Sequence, residues 1–218
     1  MTEVMNGKYI ISAVLWDFGG VFTTSPFEAF NHYEIAHDLP ENFIRQLNSK
    51  NSDSNAWAQL ERNEVSLSEF CKAFEEEARN SGGHLDGAEV LNCIHGQLRE
   101  EMVGALRSIS RQYKTACLTN NFSQGANSTN SDTTATKEVM EMFDIIVESS
   151  KVGCRKPELA FYQTACDMLE VSPNEAIFLD DLGVNLKPAK TMGMQTIKVV
   201  TPTQALKELE ACLGHDIT

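Results

Sequence analysis

Side chains that can bind or attack phosphorus follow short apolar runs at several places in the 218-residue chain. They are Asp17 after Ala13-Val-Leu-Trp16, Thr119 and Asn120 after Thr115-Ala-Cys-Leu118, Lys156 in the loop after Phe143-Asp-Ile-Ile-Val147, and Asp180 with Asp181 after Ala176-Ile-Phe-Leu179. Short apolar runs of this kind are typical of buried strands. The ligand crevice of a doubly wound sheet lies beyond the carboxyl ends of its strands. The sequence therefore predicts that these groups meet in one crevice.

The chemistry that these residue types favour is phosphoryl transfer to Asp17. Facing carboxylates repel one another unless a cation lies between them, and Mg²⁺ prefers oxygen ligands from carboxylates, water and substrate phosphate. One oxygen of Asp17 would stay free to attack phosphorus and form an aspartyl-phosphate. The Thr119 hydroxyl, the Asn120 N–H groups and the Lys156 ammonium are the donors predicted to stabilise charge on the phosphoryl oxygens.

Strands and helices that would position these residues alternate in the second half of the chain. A further strand is predicted at 195–200, and helices are predicted at 158–170, 185–192 and 203–213. This alternation is typical of a parallel sheet covered on both faces. The predicted fold is therefore α/β, with a doubly wound parallel Rossmann-like sheet.

Nearly a hundred residues without a strand-like run separate the first two strands. Amphipathic helices are predicted over 31–45, 66–79 and 88–111, and Ser66-Leu-Ser-Glu69 is a capping-box pattern. We predict a helical cap at 25–111, inserted into an α/β core made of 1–24 and 112–218. Within this cap, packing or solvent exposure is predicted for Trp57 and Arg62 rather than substrate contact.

A segment of small polar residues, 123–136, is predicted to form a mobile loop, because it offers too little apolar area to order itself.

Composition limits the choice of partners. The net charge of −13 argues against nucleic acid or an anionic membrane as the main partner. No run approaches the ~18 apolar residues of a membrane span, and no secretory signal is visible at the N-terminus. The six scattered cysteines argue against zinc and favour reduced thiols in the cytoplasm. The expected partner is a small phosphorylated substrate, and the oligomeric state is left open.

Four segments in order resemble the motifs of the haloacid dehalogenase superfamily. They are Trp16-Asp-Phe-Gly-Gly-Val21, Leu118-Thr-Asn-Asn121, Arg155-Lys-Pro-Glu-x-x-x-Tyr162 and the run from Phe178 to Ala189. The resemblance covers nearly the whole chain. It is strongest to the N-terminal phosphatase domain of soluble epoxide hydrolases and to the related domain fused to some acyl-CoA dehydrogenases. It implies a Mg²⁺-dependent phosphohydrolase with a small helical cap.

The resemblance also implies a role for each matching residue. Those roles are nucleophile and metal ligand for Asp17, carbonyl ligand for Gly19, main acidic metal ligand for Asp181 with Asp180 and Asn185 in support, phosphoryl binding for Thr119 and Asn120, and charge neutralisation for Lys156.

The sequence departs from the family pattern at Gly19. Most phosphatases of the superfamily have an aspartate there, which protonates the leaving oxygen and then activates water; such assistance is typically worth ~10²–10⁴-fold. Three interpretations follow: substrates with good leaving groups, such as anomeric, acyl or aryl phosphates; a cap residue or ordered water in place of the acid; or a weakly catalytic, regulatory phospho-ligand-binding protein. The first two are favoured because every other site component is present.

A metal-independent 2-haloacid dehalogenase is the alternative enzyme, since dehalogenases also lack that second aspartate. They have serine and asparagine, however, where this chain has Asp180 and Asp181. The acidic pair therefore favours the phosphatase.

Overall fold

The computed structural model of the chain describes residues 4–5, 8–94, 96–122 and 134–217. The strands are β1 Val4–Met5, β2 Lys8–Tyr9, β3 Ala13–Trp16, β4 Lys114–Thr119, β5 Ile145–Glu148, β6 Ala176–Asp180 and β7 Gln195–Lys198. The helices are α1 Pro26–Ala36, α2 Phe43–Ser49, α3 Ala56–Glu61, α4 Leu67–Asn80, α5 Gly87–Asn92, α6 Glu100–Ile109, α7 Thr134–Met140, α8 Ser149–Val152, α9 Leu159–Leu169, α10 Gly183–Met192 and α11 Pro202–Leu213. A 3₁₀ turn at Pro173–Glu175 precedes β6.

Five parallel strands form the central sheet in the order β5-β4-β3-β6-β7, while β1 and β2 make a separate antiparallel pair. Side chains of β3 alternate between two apolar clusters, because successive residues of a strand point to opposite faces. Val14 and Trp16 pack in one cluster with α6 and α11. Ala13 and Leu15 pack in the other with α9 and α10. The predicted doubly wound α/β fold is confirmed.

The register brings the predicted site residues to one edge of the sheet. Trp16 pairs with Cys117 on β4 and with Leu179 on β6. Asp17, Thr119 and Asp180 therefore lie at or just beyond the same carboxyl end.

Helices α1 to α5 lie between β3 and β4 along the chain, and together they bury a separate cluster of apolar side chains. It contains Phe30, Ile44, Trp57, Phe70 and Phe74, among others. The capping box at Ser66 and Glu69 is present at the start of α4, as predicted.

The single helix predicted over 31–45 is wrong. Helix α1 ends at Ala36 and α2 begins at Phe43, with Asp38 and Asn42 in left-handed backbone conformations between them. Pro40 lies in this connection, where it disfavours helical backbone in the residue before it. The buried carboxylate of Glu34 turns back and accepts hydrogen bonds from the Asn42 and Ile44 N–H groups, both at 2.8 Å.

The single helix predicted over 88–111 is also wrong, since the structure has α5 and α6 there. Met102, Leu106 and Ile109 of α6 are buried against β3 rather than in the α1–α5 cluster. Helix α6 therefore packs against the sheet, while the division into a cap at 25–111 and a core of 1–24 and 112–218 stays a prediction.

The predicted mobile loop at 123–136 falls mostly on 123–133, which lie outside the described residues; Thr134 to Thr136 begin α7. Within the described part of the chain, every helix is too short or too polar to cross a membrane.

Candidate active site

Asp17 follows β3 directly, and its main chain is fixed by a hydrogen bond from its N–H to the Leu179 carbonyl, at 2.8 Å. Its Oδ1 accepts hydrogen bonds from the Phe18 N–H and from the Lys156 ammonium, both at 2.7 Å. No hydrogen bond from a described residue reaches its Oδ2. One carboxylate oxygen is therefore anchored and the other is open to a metal or to phosphorus.

Lys156 lies between two carboxylates in the interior. Its Nζ is 2.7 Å from Asp17 Oδ1 and 2.8 Å from Asp180 Oδ2, and only 1% of the residue is exposed. The flat ring of Phe178 lies beneath it, with its centroid 5.7 Å from Nζ. A buried ammonium is stable only when paired in this way.

Asp180 is fully buried, and donors surround both of its carboxylate oxygens. Oδ1 accepts hydrogen bonds from the Leu182 N–H at 2.7 Å and the Asn185 amide at 3.1 Å. Oδ2 accepts from Lys156 and, at 3.0 Å, from the same Asn185 amide. Asn185 is held in turn by the Tyr162 hydroxyl, which donates to its carbonyl at 2.7 Å. Asp180 thus fixes Lys156 and the start of α10.

Asp181, by contrast, accepts no hydrogen bond from another described residue, and it is partly exposed. One oxygen each from Asp17, Asp180 and Asp181 lie within 4.8 Å of one another. Such a triangle of carboxylate oxygens suits a hard divalent cation.

Burial shifts the acid–base behaviour of this cluster. It raises the pKa of Asp17 to about 8, against the lowering effect of Lys156. It also raises the pKa of Asp181 to about 6, and the Asp180 charge adds to that rise. The charges of Asp17 and Asp180 raise the pKa of Lys156 despite its burial. The lysine therefore stays charged while the carboxylates resist ionisation without a cation.

Two glycines after Asp17 differ sharply in their surroundings. A Cβ on Gly19 would meet nothing within 4 Å, whereas a Cβ on Gly20 would lie 2.4 Å from Asp181 Oδ2. Gly20 also has a φ of +76°, which favours glycine. A Cβ on Gly20 would force the Asp181 carboxylate to shift, whereas Gly19 leaves open space beside the cluster.

Thr119 and Asn120 lie at the end of β4, and their roles differ. No described residue hydrogen-bonds the Thr119 hydroxyl, so it is available to a ligand. The Asn120 amide is fully engaged: Oδ1 accepts from the Lys156 N–H at 2.8 Å, while Nδ2 donates to the Lys156 carbonyl and to Glu61 Oε2, both at 3.0 Å. Any phosphoryl contact by Asn120 must therefore come from its main-chain N–H.

Residues that sequence reasoning missed surround the predicted ones. Glu61, at the end of α3, accepts hydrogen bonds from Asn120 and Arg155. Arg99, just before α6, donates a hydrogen bond to the Gly20 carbonyl at 2.8 Å. Its charge opposes the rise in the pKa of Asp181. Arg62, for which packing or solvent exposure was predicted, is 14% exposed and forms ion pairs with Glu64 and Glu158. Apart from Glu64, the partners of these residues lie far away in the sequence, so no local pattern could have identified those contacts.

Known proteins resemble this chain in sequence and in fold. The sequence profile of the haloacid dehalogenase-like hydrolases matches residues 11–193. The chain belongs to this family. It is thus a hydrolase of the haloacid dehalogenase superfamily, and the resemblance noted in the sequence is confirmed.

Curated relatives are much longer than the matched region. The chain is 34% identical to mouse acyl-CoA dehydrogenase family member 10 over 94% of its own length and 19% of that protein. It is 32% identical to mouse bifunctional epoxide hydrolase 2, over 85% of this chain and 36% of that protein. The chain therefore spans about a fifth and about a third of these relatives.

A solved structure with the same fold is a haloacid dehalogenase family enzyme from Bacteroides thetaiotaomicron, in complex with magnesium and inorganic phosphate. The TM-score is 0.60 at 19% identity, covering 86% of this chain and 93% of that one.

Proposed function

We propose that this chain is a Mg²⁺-dependent phosphohydrolase that acts on a small phosphorylated metabolite through an aspartyl-phosphate on Asp17. The observation that carries the proposal is the cluster of Asp17, Asp180 and Asp181 oxygens with Lys156 inserted between two of them. Magnesium and phosphate bound to the Bacteroides enzyme support it.

Charge balance supports a divalent cation at the site. Three carboxylates and one ammonium leave an excess of two negative charges, which a divalent cation would cancel. Asp17 Oδ2 and Asp181 have free lone pairs for it, and Gly19 would add a main-chain carbonyl. Asp180, whose oxygens already accept hydrogen bonds, would mainly hold Lys156, and one of its oxygens lies close enough to Asp17 and Asp181 to support the cation. Bound Mg²⁺ would neutralise phosphoryl charge and hold the ester in line with Asp17.

The residues of the chain would divide the reaction between them. An oxygen of Asp17 attacks phosphorus, the bond from phosphorus to the leaving oxygen breaks, and the leaving oxygen takes a proton from water. Lys156, the Thr119 hydroxyl and the Asn120 main-chain N–H hold the phosphoryl oxygens. Water then attacks phosphorus, which releases inorganic phosphate and restores the Asp17 carboxylate.

Gly19 favours esters with good leaving groups, because the open space beside it holds no carboxyl to protonate an alkoxide. Anomeric, acyl and aryl phosphates are therefore the proposed substrates. Nucleic acid and membranes are not proposed as partners. No disulfide joins the six cysteines, all of which the structure describes, and this accords with the cytoplasmic location expected from the sequence, which stays a prediction.

The test is hydrolysis of a panel of phosphate esters with and without Mg²⁺, using wild type and Asp17→Asn. We expect turnover of aryl and acyl phosphates that needs Mg²⁺ and falls by at least ~10³-fold in the variant, since the nucleophile is lost. Chloride release from 2-chloropropionate without metal would instead establish the dehalogenase. Mg²⁺-dependent phosphate binding without turnover would establish the regulatory binding protein.

A further inference from the structure

Two ion pairs of opposite polarity join the end of α3 to the loop that carries Lys156. Glu61 pairs with Arg155, and the next residue, Arg62, pairs with Glu158 at 3.3 Å. Arg155 also donates to the Ser52 carbonyl at 2.8 Å. We call Glu61, Arg62, Arg155 and Glu158 the clasp. Arg155 and Glu158 flank Lys156-Pro157 in the sequence. The clasp therefore holds the loop on both sides of Lys156.

Asn120 connects the clasp to the main chain of Lys156. Its amide pairs with both the N–H and the carbonyl of Lys156, and its remaining N–H donates to Glu61. Glu61 therefore orients the Asn120 side chain, which holds the Lys156 backbone in place. A shift of that backbone would move the ammonium away from Asp17 and Asp180.

Charge explains why Arg155 must accompany Glu61. Both side chains are 15% exposed. Burial raises the pKa of Glu61, and the Arg155 charge opposes this most strongly. A carboxylate this close to a phosphoryl site would repel the substrate unless it were neutralised, and Arg155 supplies that neutralisation.

We propose that Glu61 is a positioning residue that acts through Asn120 and Arg155 to hold Lys156 in its place between Asp17 and Asp180. The proposal rests on the proposed phosphohydrolase function. It also makes the contact of α3 with the lysine loop a condition for full activity. In this account Glu61 acts as the ionised partner of Asn120 and Arg155 and not as the missing acid, and the two substrates below distinguish these roles.

Two variants and two substrates separate positioning from proton donation. Glu61→Gln keeps a carbonyl oxygen for Asn120, whereas Glu61→Ala removes it. We expect Ala to lower kcat by about 10²-fold, the scale of a 1 Å misplacement, equally for an aryl phosphate and an alkyl phosphate. Gln should recover most of that loss. Glu64→Ala is the matched control, because Glu64 is an exposed partner of Arg62 and does not contact Asn120.

Two outcomes would overturn the proposal. One is a Glu61→Ala enzyme with wild-type kcat on both esters. The other is a loss confined to the alkyl phosphate and equal in Ala and Gln, which would identify Glu61 as a general acid.

Phosphate binding gives a readout independent of turnover. Calorimetry with inorganic phosphate and Mg²⁺ should show weaker binding to Arg155→Met than to wild type, with partial recovery in the Arg155→Met, Glu61→Gln double variant, because the unpaired charge is then gone. An additive double variant would contradict the coupling. A wild-type protein that binds phosphate but hydrolyses no ester would refute the proposed function. The phosphate affinities of the variants could still be compared in that case, so the role of Glu61 would still be tested.

Discussion

The contacts of Lys156 distinguish the roles of the acidic residues at the site. Lys156 pairs with Asp17 and Asp180, and Asp180 has its other lone pairs occupied by Leu182 and Asn185. Asp181, by contrast, accepts no hydrogen bond from any other residue that the structure describes. Two adjacent aspartates of the same motif thus differ: Asp180 pairs with Lys156, whereas Asp181 is proposed to bind the cation.

Substitution at Gly19 tests the missing acid. Gly19→Asp should fold with wild-type thermal stability, because a Cβ there meets nothing within 4 Å and the backbone is not left-handed. We expect it to raise kcat/KM for alkyl phosphates by ~10²-fold or more, with a smaller gain for aryl phosphates, which need little protonation. Steady-state kinetics over a series of leaving groups measures this, and an equal gain for all esters would contradict it.

Gly20→Ala is the opposite case. Its Cβ would overlap Asp181 Oδ2, and the left-handed backbone adds strain of ~1 kcal/mol or more. We expect Mg²⁺ affinity, measured by calorimetry, to fall at least ~10-fold. Gly104→Ala is the control, because a Cβ on Gly104 would meet nothing within 4 Å. Unchanged Mg²⁺ affinity in Gly20→Ala would show that Asp181 does not bind the cation.

Raised pKa values make Mg²⁺ binding dependent on pH. Asp181 has a pKa raised to about 6 and Asp17 to about 8, so both hold protons in the metal-free protein below those values. Mg²⁺ needs the carboxylates and must displace these protons. Apparent affinity should therefore rise with pH from about 5 to about 8. Calorimetry in two buffers of different ionisation enthalpy should detect proton release, and affinity independent of pH would contradict the account.

Residue types at strand ends made much of the site predictable. Asp17, Thr119, Lys156, Asp180 and Asp181 converge because parallel strands in register end at one edge. The side-chain role of Asn120 was not predictable, since it depends on Glu61, which lies 59 residues away in the chain. The residues next to Asn120 in the sequence do not indicate such a contact.

Elements of the sheet and of the cap differed in how well the sequence predicted them. Buried parallel strands are nearly continuous apolar runs, which stand out in any sequence. Cap helices α1 and α2 were merged because apolar periodicity continues through their connection. Their separation depends on Pro40 and on the tertiary contacts of Glu34.

Glu34 should govern the stability of the cap. Its buried carboxylate accepts the Asn42 and Ile44 N–H groups at the start of α2, which otherwise has no side-chain cap from Asn42. Glu34→Ala should lower the free energy of unfolding by about 1–3 kcal/mol, because two N–H groups lose their acceptor. Glu34→Gln keeps one acceptor oxygen and should lose less. Denaturant titration measures both, and equal stability of Ala and wild type would contradict this role.

At the scale of the whole molecule, an acidic chain places four of its 18 lysine and arginine side chains at the proposed phosphate site or its rim. The net charge is −13, yet Arg62, Arg99, Arg155 and Lys156 all contact residues of the site or its rim. The clasp makes the α1–α5 unit part of that arrangement. Core and cap helices therefore act together, although each buries its own apolar cluster.

Phosphorylation of Asp17 is the most direct test of the proposed function. Enzyme mixed with an aryl phosphate and Mg²⁺ is quenched in acid within one turnover, digested and examined by mass spectrometry. We expect one phosphoryl group on the peptide that contains Asp17, absent without Mg²⁺ and absent in Asp17→Asn. Mg²⁺-dependent hydrolysis that persists in Asp17→Asn, or a phosphoryl group on another residue, would contradict the account.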